Sequence, residues 1–296
     1  AGTAEERLLA FIGGKAESAL LMDAFNILLE EDIFQTNPQA LEKLNGWVKA
    51  RDASRQPAAM YAMGSLLLEK DDLSGAVKMA EEGLSKYPQS LPVQILSLNT
   101  ITVLLDKNRL QDAERLISKY PGSSPDLVFQ QGALAFLKKD YSLAQKLFRE
   151  AARRASETTA ENALFNENLA ALNANDASGA AALIKEAADS SRLRESILFE
   201  QAHYAAKRMA PQAAELLANF ITLAETPALK TQARLDQAEV ALNLNPPDLE
   251  TVQTILPLLE KEQLSPEQTM QLARLNILEA ESRQTGVSGR QRRLVL

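Results

Sequence analysis

Apolar and small residues recur at helical spacing between Pro57 and Pro88, in two runs separated by a polar turn. The first run ends near Glu69, and residues 70–72 form the turn. The packed face of the two runs consists of Met60, Met63, Gly64 and Leu67, followed by Ala76, Met79, Ala80, Gly83 and Leu84. Residues three and four positions apart share one face of a helix, so this spacing predicts two helices that form a hairpin.

Elsewhere in the chain the pattern also favours helix. No stretch alternates between apolar and polar residues over a useful length, as a half-buried strand would. Alanine and leucine dominate the composition, and aromatic residues make up only 5%. Because these preferences favour helix over strand, we predict an all-α protein.

The hairpin pattern returns 68 residues later, which is twice 34. Gly64 then aligns with Gly132, and Ala76 aligns with Ala144. A period of about 34 residues indicates an array of stacked helical hairpins. We expect the small side chains to let the two helices of a hairpin approach closely, because a large side chain would force them apart.

This pattern resembles the tetratricopeptide repeat family, whose repeats hold small residues, an alanine and a proline at set positions. Those positions fall on Gly64, Ala76, Gly83 and Pro88, and later on Gly132, Ala144 and Ala151, with Phe148 at the family's aromatic position. The chain departs from the family where Met60 and Val128 replace its usual tryptophan, and where Ser156 replaces the proline. The resemblance implies a right-handed superhelical solenoid of antiparallel helix pairs.

The positions of prolines, glycines and polar turns predict that the chain has four parts. They are N-terminal helices packed on the array (1–56), the repeats (57–260), a C-terminal capping helix (261–283) and a tail (284–296). The clearest repeats span 57–90, 91–124 and 125–158, and the region 159–260 holds degenerate ones. Over residues 4–51 we predict three helices, with breaks at Gly13–Gly14 and at Thr36–Pro38.

Composition narrows the partner and leaves the compartment open. The net charge of −7 argues against a nucleic-acid partner, since phosphate binding depends on lysine and arginine. No apolar run approaches the roughly 20 residues that span a bilayer. The absence of cysteine excludes disulfides and thiolate metal sites. It fits an exported bacterial protein, for example in the periplasm, and cytoplasmic proteins also lack cysteine.

The sequence contains no recognisable catalytic or metal-binding motif. The triplet at 13–15 lacks the spaced glycine and the following hydroxyl residue of a phosphate-binding loop. His203 is the only histidine and the chain has no cysteine, so neither a two-histidine helix motif nor a cysteine metal site can form. The acidic pairs at 30–32 and 71–72 adjoin turns, which favours a solvated face over an acid–base pair. We predict no catalysis, no cofactor and no metal.

The resemblance also implies a ligand groove, because the first helix of each repeat lines the inner wall of such a superhelix. Carried onto this sequence, the predicted groove residues are Tyr61, Ser65, Leu68, Ile95, Asn99, Thr102, Phe129, Phe136, Glu167, Phe199, His203 and Lys207. Their aromatic and aliphatic character favours an apolar or amphipathic peptide, or a partner helix. In the alternative interpretation, Tyr61, Phe129 and Phe136 fill the superhelix or contact the N-terminal helices.

We therefore expect a non-catalytic scaffold that binds a protein or peptide in its concave groove. One alternative is a structural subunit that self-associates through the ends or outer face of the array, so that homo-oligomers form. Another is an enzyme with ionisable residues clustered around His203. A third is that these repeats belong to a larger protein whose activity lies elsewhere.

Overall fold

The structure is a computed structural model that describes residues 3–14, 18–50, 52–187 and 190–285. Within these ranges it contains seventeen α-helices and no strand, which confirms the all-α prediction for this part of the chain. Residues 286–296, which hold most of the predicted tail, lie outside the described residues.

In chain order the helices are α1 (Ala4–Gly13), α2 (Ser18–Glu30), α3 (Ile33–Thr36), α4 (Pro38–Lys49), α5 (Gln56–Glu69), α6 (Leu73–Lys86), α7 (Leu91–Asp106), α8 (Leu110–Lys119), α9 (Pro125–Leu137), α10 (Tyr141–Arg154), α11 (Glu157–Asn173), α12 (Ala177–Glu186), α13 (Ser191–Lys207), α14 (Ala213–Leu223), α15 (Pro227–Asn243), α16 (Leu249–Leu259) and α17 (Pro266–Thr285). The chain divides into two compact units, Ala1–Ala163 and Leu164–Leu296.

The N-terminal helices of the first unit share one apolar cluster with α5. Phe25 and Phe34 are buried in it, and the ring of Trp47 meets Phe25 edge-on at 5.7 Å. The described residues between 4 and 51 form the four helices α1 to α4, so the prediction of three helices is wrong. Asp32 adopts a left-handed backbone with φ of 53°, which separates α2 from the short helix α3.

The rest of the first unit consists of consecutive helices joined by short turns. α5 packs against α6, α7 against α8, and α9 against α10, while α7 also packs against α5 and α9. Gly132 and Phe148 lie at equal distances along the chain from Asp140 in the turn and contact each other, so α9 and α10 run antiparallel. Residues such as Leu96, Ile101, Leu104 and Leu116 form the buried core.

One turn conformation recurs along the chain and marks the repeat. A residue with φ between 49° and 64° follows the first helix of each of five successive helix pairs, and these residues are Asp71, Asn108, Lys139, Asn175 and Met209. Their spacing stays close to the period of about 34 residues that is typical of helical-hairpin arrays. The left-handed residue thus recurs at intervals of 31 to 37 residues between Asp71 and Met209.

Several second helices begin with the same capping interaction. The side chains of Asp72, Asp140, Asp176 and Asp248 each accept a hydrogen bond from the backbone N–H three residues later, at 2.9 to 3.1 Å. Such caps satisfy backbone donors that have no partner inside the helix. A left-handed residue followed by an aspartate cap is the local signal that starts the helices after Asp71, Lys139 and Asn175.

Lys139 offers a test of this turn. A lysine at φ of 64° is strained, whereas glycine adopts that conformation freely. We expect Lys139→Gly to raise the free energy of unfolding by about 0.5–1 kcal/mol in urea titrations followed by circular dichroism. The matched control is Lys138→Gly, where φ is −76° and the change should lower stability by a similar amount, about 0.5–1 kcal/mol. Equal losses in both variants would show that the turn stores no strain.

The two aligned glycines have different packing partners. A Cβ atom at Gly64 would clash with Leu96 Cδ1 of α7, whereas one at Gly132 would lie 2.9 Å from the Phe148 ring of α10. The prediction that Gly64 allows α5 and α6 to approach each other is therefore wrong about the helix, because the nearest side chain belongs to α7. Ala80 stands where the later repeat has Phe148, and the following helix fills that space with Leu96.

In the second unit, α13 packs against α14, α15 against α16, and α17 against α15 and α16. Phe199, Leu217 and Phe220 lie in the apolar core between α13 and α14. Leu272 and Leu275 of α17 are buried against α15 and α16. This unit holds the cleft described next, because α15 packs against both α13 and α17.

Candidate functional site

A cleft of about 480 Å³ lies on the second unit, where α13, α15 and the start of α17 meet. Its lining residues are Phe199, Glu200, His203, Gln232, Ser265, Glu267, Gln268 and Gln271. Phe199 is only 8% exposed, so the accessible lining consists mainly of side chains that can form hydrogen bonds. Three alternate helices of the chain therefore place polar groups around one depression.

An ion pair between His203 of α13 and Asp236 of α15 anchors the site. The Asp236 side chain is 1% exposed, and its Oδ2 lies 2.5 Å from His203 Nδ1. Its Oδ1 accepts a hydrogen bond from Gln232 Nε2 at 3.2 Å, and Lys207 Nζ lies 3.9 Å away. A buried carboxylate needs such partners because removing it from water is costly.

Helix geometry brings these groups together. His203 and Lys207 are four residues apart on α13, and Gln232 and Asp236 are four residues apart on α15. Residues with this spacing lie one above the other on a single helix face. The packing of α13 on α15 then turns the two faces toward each other.

The electrostatics of the cleft favour a protonated histidine. The pKa of His203 is raised above its ordinary value of 6.5, chiefly by its hydrogen bond to Asp236 and further by the nearby carboxylates. Burial of the ring and the Lys207 ammonium partly oppose this shift. The pKa of Glu200 is raised above 4.5 mainly by burial, and the charge of Asp236 adds to the shift while His203 opposes it.

Glutamine side chains connect the helices around the cleft. Gln232 Nε2 donates to Gln271 Oε1 at 3.2 Å, and Gln268 Nε2 donates to Gln232 Oε1 at 3.3 Å. Gln271 Nε2 also donates to Glu239 Oε2 at 3.2 Å. These bonds hold amide groups of α15 and α17 at the surface of the cleft.

Ser265, His203 and Asp236 are the residue types of a nucleophilic triad; Ser265 and His203 both line the cleft, and His203 bonds to Asp236. Ser265 Oγ, however, accepts the backbone N–H of Gln268 at 3.2 Å, while Gln268 Oε1 accepts the N–H of Ser265 at 3.1 Å. These two bonds form a capping box at the start of α17. Ser265 therefore has a structural role in beginning that helix.

The structure places the predicted groove residues of the second unit in different environments. His203 and Phe199 line the cleft, with their rings stacked at a centroid distance of 5.4 Å. Lys207 is exposed next to them. Glu167 is only 2% exposed, so it offers no surface to a ligand, because its position on α11 faces the core.

In the first unit, the predicted groove residues divide into packed aromatics and more accessible polar groups. Tyr61 packs against both the N-terminal cluster and the core that follows it. Phe129 meets Phe148 at 5.3 Å, and Phe136 meets Tyr141 at 5.2 Å. These contacts favour the interpretation in which the aromatics pack internally.

The other predicted positions of this unit are more accessible. Ser65, Leu68 and Ile95 are partly buried, whereas Asn99 and Thr102 are exposed. Thr102 Oγ1 accepts a hydrogen bond from Gln130 Nε2 at 2.8 Å. This bond links α7 to α9 across a polar surface.

Sequence reasoning missed Asp236, Glu200 and the glutamines of the cleft. It carried a few groove positions from the clear repeats onto each first helix as far as α13, and none of these residues occupies one of those positions. A signal for Asp236 was present, since this acidic residue stands among the apolar positions of α15. It also follows the single histidine at a separation of 33, which is close to one repeat.

Among residues 3–14, 18–50, 52–187 and 190–285, no group of three His, Cys, Asp or Glu side chains could hold a metal ion. None of the helices described is both long and apolar enough to cross a bilayer.

No protein-family model matches the chain. No curated protein matches it in sequence either. The tetratricopeptide resemblance therefore remains a prediction from the repeat pattern, and the cleft geometry is the main basis for inferring function.

Proposed function

We propose that this chain is a non-catalytic scaffold of tetratricopeptide-like repeats, and that the α13–α15–α17 cleft binds a peptide segment of a partner protein. The observation that carries the proposal is the lining of the cleft by hydrogen-bonding side chains from three alternate helices. Its volume of about 480 Å³ falls in the range of ordinary ligand sites, roughly 300–1,000 Å³. The cleft is large enough for the side chains of a few peptide residues.

The glutamines suit a peptide backbone. Gln232, Gln268 and Gln271 each carry an amide donor and an amide acceptor, which complement backbone C=O and N–H groups. Their bonds to one another are 3.2 and 3.3 Å long, toward the upper end of hydrogen-bond distances. A peptide in extended conformation can therefore exchange these bonds for backbone ones at little cost.

The charges suggest which peptide binds. Glu200 and Glu267 line the cleft, and the positive charge of His203 is already paired with Asp236. An arginine or lysine in the ligand would complement these carboxylates, while the small exposed edge of Phe199 offers a contact to an apolar neighbour. We therefore infer an amphipathic segment with a cationic residue, which narrows the apolar or amphipathic ligand predicted from sequence.

Peptide display against the intact chain tests this proposal, with His203 as the reporter. Since the chain has one histidine, its ring gives a single set of NMR signals that report on this cleft alone. Selected peptides are expected to be rich in arginine or lysine and to shift those signals. Replacing the cationic residue of a selected peptide by glutamine should weaken binding about tenfold or more.

The protein variants separate the cleft from the rest of the surface. We expect Gln232→Ala with Gln271→Ala to weaken binding at least about tenfold, because each removes hydrogen bonds to the ligand. The matched control is Gln253→Ala, an exposed glutamine on α16 outside the cleft. Peptides that bind all variants equally and leave the His203 signals unmoved would refute binding at this cleft.

A further inference from the structure

Helix α17 presents an apolar row on the face that points away from its core contacts. The row consists of Pro266, Met270, Ala273, Ile277 and Ala280, all exposed, at intervals of four, three, four and three residues. Met270 is 70% exposed and Ile277 is 60% exposed. On the other side of the same helix, Leu272 and Leu275 are buried against α15 and α16.

This spacing is that of a helix that pairs with another helix. Apolar residues at alternating intervals of three and four form the seam of a two-helix coiled coil. Met270 and Ile277 are large apolar side chains exposed on one row, seven residues apart, and they therefore mark an interface.

The charges beside the row indicate what covers it. Glu267, Arg274 and Glu281 follow one edge of the row at seven-residue spacing, so that the sign alternates along that edge. In an antiparallel pair of identical helices, the residues of this edge face each other. Arg274 of each copy then lies beside Glu267 of the other in one register, and beside Glu281 in a register shifted by fourteen residues. The register midway between them places Arg274 beside Arg274, which like charge disfavours.

A parallel arrangement lacks this complementarity. In a parallel pair, the edge that holds Arg274 and Glu281 faces the edge of the partner helix that lies on the other side of its apolar row. Arg274 and Glu281 would then lie beside Thr269 and Asn276 of the other copy. The charge pattern therefore selects the antiparallel pairing of two copies.

We propose that α17 pairs with α17 of a second copy of this chain, antiparallel and about a two-fold axis. Met270, Ala273 and Ile277 form the seam, and Arg274 bonds to a carboxylate of the partner on each side. A two-fold axis makes every such contact occur twice. Glu267 also lines the cleft proposed for the peptide, whereas the seam residues Met270, Ala273 and Ile277 lie outside that lining.

Sedimentation equilibrium of the intact chain over a wide concentration range tests the proposal. The wild type is expected to reach twice the chain mass of 32.4 kDa. Ile277→Glu should weaken the dimer at least ~100-fold, because it places two like charges in the seam. Leu223→Glu is the control, because Leu223 is 61% exposed, close to the 60% of Ile277, but lies on α14. This variant should dimerise like the wild type.

Charge exchange then tests orientation and register. Arg274→Glu alone should weaken the dimer, and adding either Glu281→Arg or Glu267→Arg should restore it, whichever residue faces Arg274. A wild type that stays monomeric at all concentrations would overturn the proposal, as would an Ile277→Glu variant that dimerises normally. If neither double variant regained dimerisation, the antiparallel arrangement would be overturned.

Discussion

Gly132→Leu is expected to lower the free energy of unfolding of the first unit by about 3 kcal/mol. Even a Cβ atom at this position would lie 2.9 Å from the ring of Phe148. That ring is buried and meets Phe129 edge-on at 5.3 Å, so it has no free space to enter. Urea unfolding followed by circular dichroism measures the loss, with fluorescence of the single Trp47 as a second probe of the same unit.

Two further variants show whether the loss comes from this contact. Gly132→Leu combined with Phe148→Ala should recover at least half of it, because the volume removed from the ring accommodates the leucine. Gly46→Ala is the control for glycine in a helix. No atom lies within 4 Å of its added Cβ, so it should gain about 0.5–1 kcal/mol in helix preference. A Gly132→Leu chain as stable as the wild type would contradict the close contact.

Asp236→Leu is expected to lower the free energy of unfolding by about 3 kcal/mol near neutral pH. The change leaves the partly buried His203 ring without its carboxylate partner, and it removes the acceptor of Gln232. The double variant His203→Leu with Asp236→Leu should lose less than the two single variants together, because no charge is then left unpaired. Additive losses would show that the two residues do not interact.

The same pair predicts how stability depends on pH. The pKa of His203 is raised in the folded state, while an unfolded histidine titrates near 6.5. The stabilisation is therefore complete below pH 6.5 and is lost as pH rises through the folded pKa. The raised pKa of Glu200 acts in the same direction from pH 4.5 upward, since its ionisation is disfavoured in the folded state.

NMR titration of the single histidine measures the first of these effects directly. The wild-type ring should titrate above 6.5, and Asp236→Asn should return its pKa toward that value. Urea unfolding at several pH values should show wild-type stability falling above pH 6.5, with a flatter profile in His203→Gln. An identical pH profile in both proteins would refute the link between this pair and stability.

The local features of this protein could be predicted from its sequence alone. Helical spacing, prolines at helix starts and aspartate caps depend on residues within a few positions of one another, so each stretch can be interpreted without the rest of the chain. The break at Asn37–Pro38 and the turn near Asp71 are examples, since the Asn37 side chain accepts from Gln39 and Ala40 and Asp72 caps α6. The repeat period followed from the same local signals.

Which helix contacts which could be learned only from the folded molecule. The aligned residues Gly64 and Gly132 look equivalent in sequence, yet one accommodates Leu96 and the other Phe148, because the volume of neighbouring side chains decides how each space is filled. His203 meets Asp236, a distant residue in the chain, through the packing of α13 on α15. Which face of α17 stays exposed likewise depends on the helices that cover the other face, and that information is distributed over distant parts of the chain.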